Sequence, residues 1–487
     1  MTIKSLQIER SESRRHVLFV VVLIAIELFA VIETAMAFAA MPTFMRVFEA
    51  DATAVGWTST AYLLVGAGSA ATSGRLGDIF GRQKVLTLVL VGAVIGSIVS
   101  ALAVDLWMIV LGRGLQGLSA GAIAISTGLI RELLPERRVP VAVALLGGII
   151  PIASGIGALV AGVLLDQSGW RLMFAAAVVL GTAAALLSQF CIPATPGITP
   201  RPSVDLVGAI MLVPATAGVL FGITKGGQWG WLDWRVLSPI LLGLVALAAW
   251  IWWERRVPEP IVDMRQFRNR KVSLTTLATI VVGVGPLGLL TLLSPMIMQL
   301  PKETSIGHGL SPTAAGAIQL LICIVCYGGA WWSGRISTRV GARWSLVAAC
   351  VLYIGGAGAW FLVSESLIGT VIALGAVLMG HNLSLPAVMN LIVEAVPADQ
   401  TGAATGMNRV IMNVAVAAGT AFGSVILGIF TVSGSNLPSE SALTVGFVAI
   451  IATSVVALAL ALLIGDRRSA DRNAPMNAER GAAKAAV

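Results

Sequence analysis

Apolar residues are grouped in long blocks divided by short polar breaks. The blocks lie near 17–43, 53–74, 85–104, 107–130, 140–165, 170–192, 204–224, 235–253, 272–298, 312–334, 343–363, 367–394, 401–430 and 442–464. Each holds about 20 residues or more, the length a helix needs to cross a hydrocarbon layer about 30 Å thick. Membrane strands need only about 9–11 residues, and a backbone in lipid must satisfy its own hydrogen bonds. The pattern predicts an all-α membrane protein with fourteen spanning helices.

Composition sharpens the class. Of 487 residues, 57% are hydrophobic and 11% charged, and the mean hydropathy is +0.90. Soluble domains carry roughly 25% charged residues, so most of this surface must face lipid. Cys191, Cys323, Cys326 and Cys350 all fall in or beside apolar blocks. The CxxC at 323–326 has no His or further Cys nearby, so these thiols read as small packing residues and no metal or cofactor is expected.

The net charge of +8 is no sign of nucleic acid, because the basic residues sit in short clusters between the blocks. With the N-terminus in the cytoplasm, 25 of the 32 Lys and Arg fall on the cytoplasmic side. Five (Arg46, Arg171, Lys225, Arg235, Lys302) fall outside, and Arg113 and Arg409 lie within helices. That imbalance predicts that both termini are cytoplasmic and that the number of spans is even. The basic start runs into an apolar block too long for a signal-peptide core, so no cleaved signal is expected. The expected location is the bacterial cytoplasmic (inner) membrane.

A faint repeat relates the two halves: GRLGDIFGRQKVL at 74–86 is echoed by GRISTRVGARWSL at 334–346, an offset of 260 residues. Two six-helix bundles with an extra pair of helices between them would give this spacing, and such repeats are common in secondary transporters. The expected division is a tail at 1–16, a bundle at 17–192, the extra pair and linker at 193–271, a second bundle at 272–465 and a tail at 466–487.

In the first of these repeats, Gly74, Gly77 and Gly81 would allow a tight turn. Asp78 lies among Arg75, Arg82 and Lys84, and a carboxylate among cations can latch helix ends by charge-assisted hydrogen bonds. This segment resembles the GxLaDrxGrkxxl loop of the major facilitator superfamily: Gly74, Leu76, Asp78, Gly81, Arg82 and Leu86 match, while Ile79 and Gln83 depart. LGRGLQGLSAG at 111–121 is similar to that family's LxRxxQGxgaA. GALVAG at 157–162, followed by GWRLMF at 169–174, resembles its GPxxGG antiporter motif, with Ala158 and Ala161 substituted. FRNRKVSL at 267–274 and LSPTAAG at 310–316 resemble the fourteen-span drug:proton antiporters. The resemblance implies two pseudo-symmetric six-helix bundles plus two central helices. It also implies a latch at Gly74, Asp78, Gly81 and Arg82, and a hinge at Gly155, Gly157 and Gly162.

Ionisable residues inside helices cost about 2.5–3.5 kcal/mol when uncompensated, so they usually face a cavity. The first helix carries Glu27 and Glu33, about 9 Å apart along the axis and about 120° around it, so they need not share a partner. Glu33 stands where the resemblance puts the Asp of lDxTvvNvALP, with Ala35 and Phe38 replacing Thr and Asn. A membrane carboxylate can load and release a proton in competition with a cation. Glu33 and Glu27 are therefore candidates for proton coupling or substrate recognition. Arg113 with Gln116, and His381, are further candidates, each with a structural hydrogen bond as its bland alternative. Arg409 reads more simply as a packing or snorkelling residue. Pro151, Pro286, Pro295, Pro386 and the glycines near 155–162 mark broken helices suited to a substrate site. GVGPLG at 283–288 lies mid-membrane with no preceding strand and is not a nucleotide site. No Walker loop, HExxH or GxSxG appears, so neither an enzyme nor direct use of ATP is expected.

The resulting expectation is proton-coupled efflux of hydrophobic or cationic drugs by alternating access, from a protein functional as a monomer. Its partners would be a small-molecule substrate, protons and the lipid bilayer. Two alternatives stay open: proton-coupled transport of one dedicated metabolite, and a non-transporting receptor on the same bundle.

Overall fold

The computed structural model describes residues 3–197, 205–258, 260–262, 264–302, 307–396, 401–432 and 437–464. The expected tail at 466–487 and Arg201 lie outside the described residues. Fourteen long helices are present among them: α1 Ile3–Ala39, α2 Ala52–Phe80, α3 Arg82–Ala101, α4 Leu106–Leu133, α5 Val141–Ser168, α6 Trp170–Cys191, α7 Leu206–Trp229, α8 Trp234–Glu254, α9 Arg270–Gln299, α10 Pro312–Val340, α11 Ala342–Val363, α12 Leu367–Ala395, α13 Thr401–Ile429 and α14 Glu440–Leu463. Twelve of them are long and apolar enough to cross a membrane. The remaining two are α2, rich in Gly, Ser and Thr, and α7, whose apolar stretch is Ile210–Gly226. The expected count of fourteen is consistent with this set.

Local chemistry explains where the helices begin. Asp51 accepts from the Ala54 N–H (2.7 Å), Asp105 from Met108 (2.8 Å) and Asp205 from Gly208 (2.7 Å), which satisfies otherwise orphaned donors. Ser311 caps α10 in the same way, with Pro312 in the first turn. Gly81 (φ +93°) and Gly341 (φ +110°) separate α2 from α3 and α10 from α11 at the same place in each half. Both adopt a backbone that a side chain would strain, so the echo between residues 74–86 and 334–346 marks one structural turn used twice.

Two boundaries differ from the sequence reading. The helix expected at 53–74 continues to Phe80, so Gly74, Gly77 and Asp78 are helical and only Gly81 makes the turn. Isolated glycines are tolerated in a packed helix, and a Cβ on Gly74 would come no nearer than 4.0 Å to Ala124. The helix expected at 17–43 stops at Ala39, and the short helix Met41–Val47 follows with Pro42 in its first turn.

The two halves, α1–α6 and α9–α14, meet along two pairs of helices. Helix α2 lies against α13: Thr53 Oγ1 donates to the Ser424 carbonyl (3.2 Å) and Thr60 and Thr420 share a hydroxyl bond (3.3 Å). Helix α5 lies against α10, where the Thr313 N–H donates to Asp166 Oδ2 (2.9 Å). Gln299 Nε2 adds a bond to the Ala39 carbonyl (3.0 Å). These contacts gather at the end opposite the chain termini. The extra pair sits outside this seam, held by Trp57 Nε1 of α2 donating to Thr224 Oγ1 of α7 (3.2 Å).

Large apolar side chains cover the outside, including Leu242 at 69%, Val179 at 69% and Leu362 at 87% exposed, as a lipid-facing surface requires. Exposed tryptophans lie near both ends of the bundle, Trp231 and Trp234 at one and Trp252, Trp331 and Trp332 at the other. At the latter, Arg256 lies 3.7 Å from the Trp252 ring and Arg335 3.6 Å from Trp331. Such rings mark membrane–water interfaces.

Candidate functional site

Two cavities of about 280 Å³ and about 550 Å³ lie between the halves. The smaller is nearer the closed end. Ala35, Phe38, Ser154, Gln319, Leu378 and His381 line both and form a waist between them. Together they fall in the size range of small-molecule sites.

The smaller cavity is walled by Leu287, Leu290, Met298, Ile322 and Leu374, with Thr291, Ser294 and Gln299 as polar points. Ser294 Oγ donates to Gln319 Oε1 (3.2 Å). Its wall on α9 is irregular: Gly283–Leu287 form one π-helical turn containing Pro286. Proline cannot continue the regular ladder, and a π-bulge is one way a helix absorbs it.

The larger cavity carries the charges. Glu27 enters from α1 and accepts from Ser126 Oγ (3.2 Å). Arg409 enters from α13 in the opposite half and acts electrostatically on Glu27 and on His381. Asn382, Asn408 and Asn413 add amide groups. The Asn408 carbonyl accepts from Thr279 Oγ1 (3.0 Å), which fixes that side chain.

Glu33 is placed elsewhere. It is 2% exposed and is not part of either cavity wall. Of the two carboxylates of α1, Glu27 lines the larger cavity and Glu33 lies behind the wall. Ser97 Oγ donates to Glu33 Oε1 (3.0 Å) or to its own helix at Ala93 (3.0 Å), and accepts from Gln116 Nε2 (2.8 Å). Gln116 Oε1 accepts from Arg113 Nη1 (2.7 Å), whose guanidinium lies 4.4 Å from the Tyr62 ring. The chain Glu33–Ser97–Gln116–Arg113 is fully buried, and Tyr62 stands between it and the larger cavity. Glu33 Oε2 and Arg113 Nε and Nη2 have no hydrogen-bond partner. A buried polar network with open valences is costly unless opposite charges face each other, and here Glu33 and Arg113 act on one another electrostatically.

The glycines of α5 lie at helix contacts. A Cβ on Gly157 would stand 2.8 Å from the Ile32 carbonyl of α1, and one on Gly155 would stand 2.8 Å from Leu320 Cα of α10. One on Gly162 would meet the Pro312 carbonyl of α10. Gly155 and Gly162 thus let the two halves approach backbone to backbone.

At the other end, Arg82 pairs with Asp78 (2.7 Å) and with Glu132 (2.9 Å), and donates to the Gly128 carbonyl (2.8 Å). The expected cluster becomes a clasp from the α2–α3 turn to the end of α4, inside one half. Gly81 is required there by its positive φ, and a Cβ at this position would also collide with the Thr195 carbonyl.

Of the residues singled out from sequence, Glu27 and His381 line the larger cavity and Arg113 and Gln116 lie behind its wall; Arg409, read there as a packing or snorkelling residue, also lines the cavity. Its signal was available: Arg409 stands beside Asn408 and about one helical turn before Asn413, too polar a set on one helix to face lipid. Tyr62 and Ser97 gave no comparable signal, since single hydroxyls are frequent in membrane helices.

Two helical halves around a central cavity, sealed at one end by small residues, define a membrane carrier of the transporter class. The chain belongs to the major facilitator superfamily, whose model matches residues 23–420. It is 27% identical over 398 residues, 81% of this chain and 72% of the relative, to the "Tetracenomycin C resistance and export protein" of Streptomyces glaucescens. It is 25% identical over 392 residues, 80% and 71% of the two chains, to the "Multidrug resistance protein Stp" of Mycobacterium tuberculosis. In fold it is similar to a bacterial homologue of the human lysosomal transporter Spinster, with a TM-score of 0.66 at 15% identity over 92% of this chain and 97% of that one. It is likewise similar to a peptide transporter, with a TM-score of 0.65 at 15% identity over 92% and 94%.

Proposed function

We propose that this transporter expels hydrophobic or cationic compounds from the bacterial cytoplasm across the inner membrane in exchange for protons. The observation that carries the reading is the buried chain from Glu33 to Arg113, set directly behind the wall of a cavity that both halves share. A carboxylate with one free oxygen in a dry, cation-containing network can take up a proton, and its neutralisation releases Arg113 from electrostatic restraint. Tyr62, which touches both the network and the cavity, would pass that change to bound substrate. Glu27 would meet the substrate itself. The relatives named for resistance and export support the direction of transport.

In this reading both termini are cytoplasmic, the units are 17–192, 193–271 and 272–465, and one chain suffices. The seams α2–α13 and α5–α10 would open outward while the Arg82 end closes. The latch role of Gly74, Asp78, Gly81 and Arg82 and the hinge role of Gly155, Gly157 and Gly162 belong to this proposal. A second reading, proton-coupled transport of one polar metabolite, is favoured by the amides of Asn382, Asn408, Asn413 and Gln319, which give the cavity wall several hydrogen-bonding groups.

The test is uptake of a fluorescent hydrophobic cation into proteoliposomes under an imposed pH gradient. Uptake that follows the gradient and ceases with a protonophore is expected. Movement of a single metabolite and of no dye would replace this reading with the second.

A further inference from the structure

The geometry points to a transported compound that is zwitterionic: an aromatic body carrying a basic nitrogen for Glu27 and an acidic group for Arg409. This rests on the reading of the cavity as the substrate site and names the substrate class. Glu27 and Arg409 come from opposite halves, line the same cavity and act on each other electrostatically. Among the described residues no ion pair joins them, the nearest bond of Glu27 being the Ser126 hydroxyl. Each charge therefore presents an open valence to whatever enters.

A ligand with only a positive charge would pair with Glu27 and leave the Arg409 guanidinium desolvated without a counter-charge. A ligand with only a negative charge would do the reverse to Glu27. Leaving a buried charge unpaired costs more than the opposite pair returns. A ligand bearing both groups meets both side chains and spans the two halves. Beyond the waist at Phe38, Gln319 and His381, the smaller cavity offers an uncharged, mainly apolar wall to its ring system.

The probe is one quinolone body in four forms: a piperazine nitrogen with a free ring carboxylate, the methyl ester, the N-acetyl form, and the form blocked at both ends. Binding is read near neutral pH from probe fluorescence with the full chain in nanodiscs. The free form should bind about tenfold more tightly than either singly blocked form. Arg409→Gln should lower it to the level of the ester while leaving the ester unchanged, and Arg409→Lys should retain most of the preference. Glu27→Gln should lower it to the level of the N-acetyl form, which keeps the test available should Arg409→Gln fail to fold. Equal binding of the free form and its ester by the native protein overturns the inference, as does a preference that survives Arg409→Gln. Gradient-driven movement of a singly charged dye without any zwitterion preference removes the substrate class and leaves the proposed transport standing. A zwitterion preference without gradient-driven movement of any compound does the opposite.

Discussion

A single hydroxyl joins two members of the proposed coupling network. Ser97 Oγ reaches both Glu33 and Gln116, and Ser97→Ala would strand the buried Gln116 amide. An unsatisfied buried donor costs about 1–3 kcal/mol, so the variant should melt earlier in detergent. It should also weaken gradient-driven transport more than substrate binding, since Ser97 does not line the cavities. Unchanged melting and transport would mean that the network tolerates the loss. Glu33, Glu27 and Arg113 were legible because a charge in an apolar helix has few explanations. Which carboxylate meets the cavity was not legible. Six residues on a helix put Glu27 and Glu33 on different faces, and only packing decides which face is walled off by Tyr62.

At the scale of helices, the apolar blocks located nearly every element, while the ends were misplaced where polarity and helicity part company. Residues 74–80 are polar enough to resemble a loop, yet they continue α2 because Asp78 pairs with Arg82 one turn away and the turn itself needs Gly81. The glycines of α5 suggested a hinge in a broken helix, not the contact they make. Gly162 meets Pro312 across the two halves, a contact no local pattern contains. Gly162→Val should cost about 1–3 kcal/mol through overpacking and push α5 from α10 at the sealed end. Spin labels at Asp166→Cys and Thr313→Cys should then move apart while transport falls. An unchanged label distance would show that the backbone absorbs the side chain.

Across the whole molecule, the contacts between the halves lie at one end and the Arg82 clasp at the other. Asp78 and Arg82 are partly exposed, with side-chain exposures of 32% and 24%, and such pairs contribute only about 0–1 kcal/mol. Asp78→Asn should therefore leave thermal stability almost unchanged while slowing turnover, because the clasp orients the end of α2 against α4. Equal losses of affinity and turnover would argue against a conformational role. The two-half plan was visible in the echo 260 residues apart. Thr338 and Ala342 occupy the places of Asp78 and Arg82, so the second half shares the turn but not this ion pair.

In the proposed cycle, Glu33 couples proton movement to substrate without touching the substrate. The most direct measurement compares, in the same proteoliposomes, exchange of labelled for unlabelled substrate at equal pH with uphill transport under a pH gradient. For Glu33→Gln the account predicts that exchange continues near the native rate while uphill transport is lost. Uphill transport that persists in Glu33→Gln would contradict it, and loss of both would place Glu33 in substrate binding instead.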